Sequence, residues 1–131
     1  MKERKITLLA GALIVLAFAA TACNKAGSSP TATAKAFYEA SKSNDVQTMK
    51  SLMSKNTLDM LDKLAKAQNK SVDDMLKASH EAVPPPANFE TRNEKIDGDK
   101  ATLEVNQDGK GNWQTVNFVQ EDGQWKLAAS K

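Results

Sequence analysis

Few residues of this chain carry side chains that could do chemistry, and their spacing limits what that chemistry can be. Cys23 is the one cysteine among 131 residues, so no disulfide can form within the chain. A lone thiol is a target for covalent modification; left free in an oxidising compartment, it can pair with a second molecule. His80 is the one histidine. A metal site would need further imidazole, thiolate or clustered carboxylate ligands, and the acidic residues near it in sequence are Asp73, Asp74 and Glu81. A polar or cationic group in the last turn of a helix complements the carbonyl end of the helix dipole, which accounts for His80 without a metal. Neither a metal nor an organic cofactor is expected. Glu94, Asp97 and Glu104 are the carboxylates that could act as a general base. That work needs a desolvated or partnered carboxyl with a raised pKa, whereas Asn93, Lys95 and Thr102 beside them point to solvated strand faces. No catalytic constellation stands out, and enzymatic activity is not expected.

The setting of Cys23 is the most informative of these. Lys2, Arg4 and Lys5 open the chain, Ile6 to Ala20 is an uncharged and mostly apolar run, and the small residues Ala20, Thr21 and Ala22 lead into the cysteine. Positive start, short apolar run and small-residue exit are the anatomy of an export signal. The run is 15 residues long, short of the roughly 20 that a helix needs to cross a bilayer. With a cysteine directly after the cleavage point, residues 1–22 resemble a bacterial lipoprotein signal, although Ala20 stands where such signals prefer leucine. The resemblance implies that Cys23 becomes the acylated first residue of the exported chain. The bilayer is then its partner, and Asn24 matches the sorting context of the outer membrane if the host is Gram-negative. An ordinary secretory signal cut at the same place, leaving a free thiol, is the alternative.

The chain carries a net charge of +2, and Lys2, Arg4 and Lys5 against Glu3 place all of it in the leader. The remainder is neutral. It offers no electrostatic basis for nucleic acid, whose binding rests on phosphate neutralisation, and no polybasic patch for anionic lipid. Attachment to a membrane would depend on acyl chains, each buried CH₂ adding about 0.8 kcal/mol.

Behind the cysteine, residues 23–29 (CNKAGSS) are small and polar and read as a flexible tether. Residues 30–131 are enough for one domain with a single core. Its first half is helical in pattern. Ser29-Pro30 is a start signal, followed by Ala34, Phe37, Tyr38 and Ser41 at helical spacing. Asp45 opens a second helix with Val46, Met49, Leu52 and Met53 on one face. Leu58, Leu61, Leu64 and Ala65 mark a third, from Thr57 to Gln68. Ser71 and Asp74 resemble a capping box ahead of Val72, Met75, Leu76 and Ser79. Met49, Met53, Met60 and Met75 fall on these stripes and are expected to fill the core. Pro84-Pro85-Pro86 can neither continue a helix nor donate to a ladder and forms a stiff connector. After Asn88 the period becomes two. The Asp-Gly pairs at 97–98, 108–109 and 122–123 separate strands at Phe89 to Ile96, Lys100 to Gln107, Trp113 to Gln120 and Gln124 to Ala129. A meander with one face to cover and amphipathic helices as its only cover is an α+β fold, with N-terminal helices packed on a curved four-stranded antiparallel sheet.

The segments SPTATAKAFYEASKSNDVQTMKSLMS, KIDGDKATLEV and WQTVNFVQEDGQWKL resemble a family of small bacterial envelope lipoproteins. That family is described as a domain of unknown function within the nuclear transport factor 2-like, cystatin-like superfamily, with lumazine-binding-like and ketosteroid isomerase-like relatives. The resemblance spans about residues 29–129 and carries fold-determining residues, not a catalytic motif. It implies a cone-shaped sheet whose mouth can hold a small molecule, and a homodimer as one oligomeric form. Phe89, Trp113, Phe118 and Trp125 are the aromatics that could line such a pocket. Filling the core is their commoner role, and Trp125, in phase with Leu127 and Ala129, suits it best. The function expected is a membrane-anchored, non-catalytic envelope module that binds a protein or a small ligand, with protein interaction favoured. A ligand carrier or isomerase-like pocket enzyme is the alternative. A cavity above about 300 Å³ separates a ligand site from a filled core.

Overall fold

The computed structural model describes residues 25–130, so the leader and Cys23 lie outside the described residues. Four helices precede four strands: α1 (Pro30–Lys42), α2 (Val46–Ser51), α3 (Lys55–Ala67), α4 (Val72–Ala82), β1 (Glu90–Asp97), β2 (Lys100–Asn106), β3 (Trp113–Glu121) and β4 (Gln124–Ala128). Each helix starts where a short polar side chain satisfies the free amides of the first turn. Ser29 Oγ accepts the Ala32 amide at 3.0 Å ahead of Pro30, and the Asp45 carboxylate takes the Thr48 amide at 3.1 Å. Ser71 and Asp74 form a reciprocal capping box. The third helix begins two residues before Thr57, because Ser54 accepts the Thr57 amide at 3.2 Å and is the true cap. Among the described residues no helix is long and apolar enough to cross a membrane.

The strands form one antiparallel sheet in the order β1-β2-β3-β4. At the β3–β4 turn, Asp122 and Gly123 have φ of 51° and 74°; two successive positive values match the right-handed strand twist, and Asp-Gly supplies them cheaply. Ala101, Leu103 and Val105 of β2 face the helices and are buried with Phe118, Trp125 and Ala34, the outcome that strict alternation requires. Thr102 and Glu104 point the other way. The fold is the expected α+β arrangement of helices on an antiparallel sheet.

The helical layer is joined to the sheet along β4. Leu127 donates its amide to Leu52 O and accepts the Ser54 amide, both at 2.8 Å, so residues 52–54 run beside β4 as a one-bridge parallel strand. Thr57 Oγ1 donates to Leu127 O at 3.2 Å and accepts the Ala129 amide at 2.8 Å. The wholly buried Thr33 hydroxyl of α1 donates to Trp125 O at 2.9 Å. The Trp125 amide donates to Gly27 O at 2.8 Å. These bonds cover an edge that would otherwise present open amides and carbonyls. The other edge, β1, is protected differently, by Glu90, Arg92, Glu94, Lys95 and Asp97 and by a register shift between Arg92 and Lys95.

The bond to Gly27 corrects the expectation of a free tether through residue 29. Gly27 is buried, and its φ of +87° with a Gln124 Cβ only 3.1 Å from where its own Cβ would stand explains the glycine. The free segment therefore ends before Gly27, not at Ser29. Gly27→Ala is expected to cost about 1–2 kcal/mol, the usual penalty of a left-handed alanine, and to lower the thermal midpoint by about 5–10 °C. An unchanged melting curve would mean that the segment is not docked.

Candidate functional site

Away from the β4 seam the two layers separate, and a cavity of about 690 Å³ lies between them. Its walls follow from helical and strand periodicity. From α1 come Phe37, Tyr38 and Ser41; from α2, Met49; from α4, Leu76, Ser79, His80 and Val83 at i, i+3, i+4 and i+7. The sheet supplies Val105, Gln114, Val116 and Leu127, all on its helix-facing side, while Phe89 and the three prolines close one flank. Gln107 and Asp108, at the start of the β2–β3 loop, complete the wall.

Helix α4 accounts for the empty volume. It is amphipathic yet has no fully buried residue: Leu76 packs against Ala40, Val46 and Met49, and the rest of its apolar stripe borders the cavity. Burying such a stripe is worth roughly 25 cal/mol per Å², so something must hold the helix off the sheet. At its start, Asp73 takes the Lys50 ammonium at 2.8 Å and the Gln47 amide at 3.2 Å. Beyond its end, Pro84-Pro85-Pro86 keeps the chain extended, and the Tyr38 hydroxyl donates to Pro86 O. The Tyr38 ring stacks on Phe89 with centroids 4.6 Å apart and planes 11° from parallel. The helix is thus braced at both ends and, between them, held by Leu76 against Ala40, Val46 and Met49. His80 Nδ1 is buried and has no hydrogen-bond partner among the described residues, a costly condition for a polar atom.

The four aromatics singled out from sequence do not meet at one place. Phe89 lines the cavity. Phe118 and Trp125 are 2% and 6% exposed and belong to the core beneath α1, with Ala34, Ala101 and Leu103. Trp113 is on the opposite face of the sheet, where the Arg92 guanidinium lies 4.0 Å from its ring. The reason is the period of two: Gln114, Val116 and Phe118 share the helix-facing side of β3, so the odd-numbered Trp113 turns away. Met60, expected in the core, is 49% exposed on the outside of α3.

The candidate carboxylates are also elsewhere. Glu94 accepts the Thr31 amide at 2.9 Å and the Thr31 hydroxyl at 2.6 Å, tying β1 to the start of α1. Glu104 pairs with Arg92 Nε at 2.7 Å and Asn93 Nδ2 at 2.6 Å on the outer face. The Arg92 guanidinium and then the Asn93 amide hold its carboxyl below the usual carboxylate range, the reverse of what a general base needs. Asp97 is exposed at a hairpin end. The charged residue that does line the cavity is Asp108, which sequence placed only in a turn. The Lys110 amide at 2.8 Å and then the Asn112 side chain hold its carboxyl below the ordinary value. Tyr38 and the α4 stripe were visible as apolar positions, but no sequence signal says that they face a void. Among the described residues no group of histidine, cysteine and carboxylate side chains is placed to hold a metal ion.

The model of a family described as a domain of unknown function (DUF4878) matches residues 21–128. The chain belongs to the DUF4878 family. A crystal structure from Campylobacter jejuni, of a protein named as a candidate NTF2-like transpeptidase, is similar to this DUF4878 chain with a TM-score of 0.51. The match covers 77% of this chain and 98% of that one at 18% identity. At that identity the match speaks to the fold alone, which this chain shares with that structure. No curated protein matches the chain.

With few packed contacts of its own, α4 is expected to exchange its amide hydrogens faster than α1, since local opening tracks local burial. Asp73→Ala, which removes the brace at its start, is expected to speed α4 exchange further and leave α1 unchanged. Equal protection in the two helices would contradict the sparse packing of α4.

Proposed function

We propose that this DUF4878 protein is an exported, lipid-anchored binding module that holds a small, largely apolar molecule between α4 and the sheet. The observation that carries the reading is the 690 Å³ cavity, within the range of small-molecule sites and well above a packing defect. Its walls are aromatic and aliphatic with a few polar groups, the composition such sites favour. Sequence alone favours a protein partner; the cavity tips the choice toward a small ligand. Of the carboxylates that could have served an isomerase-like reaction, Glu94 is committed to Thr31 and Glu104 to Arg92 and Asn93, and Asp97 is exposed at a hairpin end, which supports binding over catalysis.

Cys23 would anchor the module to a bacterial membrane, the outer one if the host is Gram-negative. This rests on the leader that precedes it.

Two measurements test the two halves of the reading. Protein extracted from membranes is expected to have an intact mass equal to residues 23–131 plus acyl chains, and a mass without acyl addition would refute the anchor. A neutral apolar dye, N-phenyl-1-naphthylamine, is expected to bind the protein with one saturable site. Ser79→Trp, which fills the cavity from an exposed position on α4, is expected to weaken that binding at least tenfold without lowering the thermal midpoint. Non-saturable dye uptake, equal in both proteins, would refute a defined site.

A further inference from the structure

The charges around the cavity narrow what it can hold. The chain has 18 lysines and arginines, yet among the described residues none lines the wall. The cation closest to the aromatic flank, Lys42, is 5.3 Å from the Tyr38 ring centroid and pairs with Glu39 at 3.5 Å, so it serves the outside of α1. The one carboxylate on the wall is Asp108, flanked by the amide side chains of Gln107 and Gln114. All three are exposed, whereas Val105 beside them is buried, which makes this the polar mouth of a chamber whose other polar side chains include Ser41, Ser79 and His80. The Asp108 carboxylate accepts the Lys110 amide and the Asn112 side chain, and these bonds hold it in place at the mouth.

We infer that the cavity selects molecules with an apolar body and a cationic amine end, the body lying against Leu76 and Val116 and the amine at Asp108. This rests on the reading of the cavity as a ligand site and specifies its chemistry. An amine entering the mouth can donate to a carboxylate and to the carbonyl ends of two side-chain amides. A carboxylate or phosphate end meets the repulsion of the Asp108 charge, with no lysine or arginine on the wall to offset it and only neutral donors to replace its hydration. Fatty acids and phospholipid headgroups are therefore disfavoured occupants, and the charge preference opposes rather than assists uptake of anionic lipid.

The test uses two soluble probes with one body, 4-phenylbutylamine and 4-phenylbutanoate, titrated near neutral pH into the full chain in lipid nanodiscs. Backbone amide shifts of Leu76, Val105 and Val116 report binding, with the Trp125 amide, bonded to Gly27, as the distant control. The amine is expected to shift the cavity amides saturably and to bind about tenfold more tightly than the carboxylate, a modest Coulombic difference for a charge at a wet rim. Asp108→Asn is expected to erase the gap. Because that change could disturb the β2–β3 loop, Gln114→Lys at the exposed end of β3 gives an independent readout, with the preference moving toward the carboxylate. Equal binding of the two probes, or tighter binding of the carboxylate, would overturn the charge selection while leaving the ligand site standing. Failure of both probes to move the cavity amides, together with failure of the neutral dye to bind, would overturn the site itself and the selection with it.

Discussion

The fold depends on the seam along β4. Leu127 exchanges main-chain hydrogen bonds with Leu52 and Ser54, and Trp125 is held through its carbonyl by Thr33 and through its amide by Gly27. Buried backbone groups must be paired, so this seam fixes how closely the helical layer can approach the sheet and at what angle. The core follows from it. Phe118, Leu103, Trp125 and Ala34 are close-packed where the layers meet. Further from the seam the layers diverge, and α4, the last helix, packs through Leu76 on α1 and α2 and borders the cavity above the sheet.

A protein of this size has little burial to spare, which makes an unburied amphipathic helix a deliberate feature of the design. The bracing of α4 by Asp73 and Lys50 is a half-exposed ion pair, of modest worth by itself. Its value is positional: with the proline connector and the Tyr38–Phe89 stack, it keeps the chamber from collapsing. The structure thus gives up part of the stabilisation available to α4 and keeps a space lined by side chains that prefer an apolar occupant to water.

The sequence made the elements readable for definite reasons. Alternation of Ala101, Leu103 and Val105 fixed both the strand and its buried side, and the Asp-Gly pairs marked two hairpins because positive φ is cheap there. The capping box at Ser71 and Asp74 was equally plain. The cavity was not readable. A periodic pattern tells which face of a helix is apolar, not how far away the opposing surface stands, so Leu76 in the cavity and Ala65 in the core look alike. Aromatic identity misled for the same reason: Trp113 was placed by residue type, whereas its position in the alternation of β3 puts it outside. Gly27 looked like linker composition, and only its docking against Gln124 and Trp125 shows why glycine stands there.

The central claim is that α4 stands off the sheet to enclose a site for a small apolar molecule. A crystal structure of the protein purified from its own host cells tests this most directly. The account predicts α4 raised as described here, with a bound molecule or an open chamber between Leu76 and Val116. A structure in which α4 has closed onto the sheet, with Leu76 packed against Val116 and no chamber between them, would contradict it.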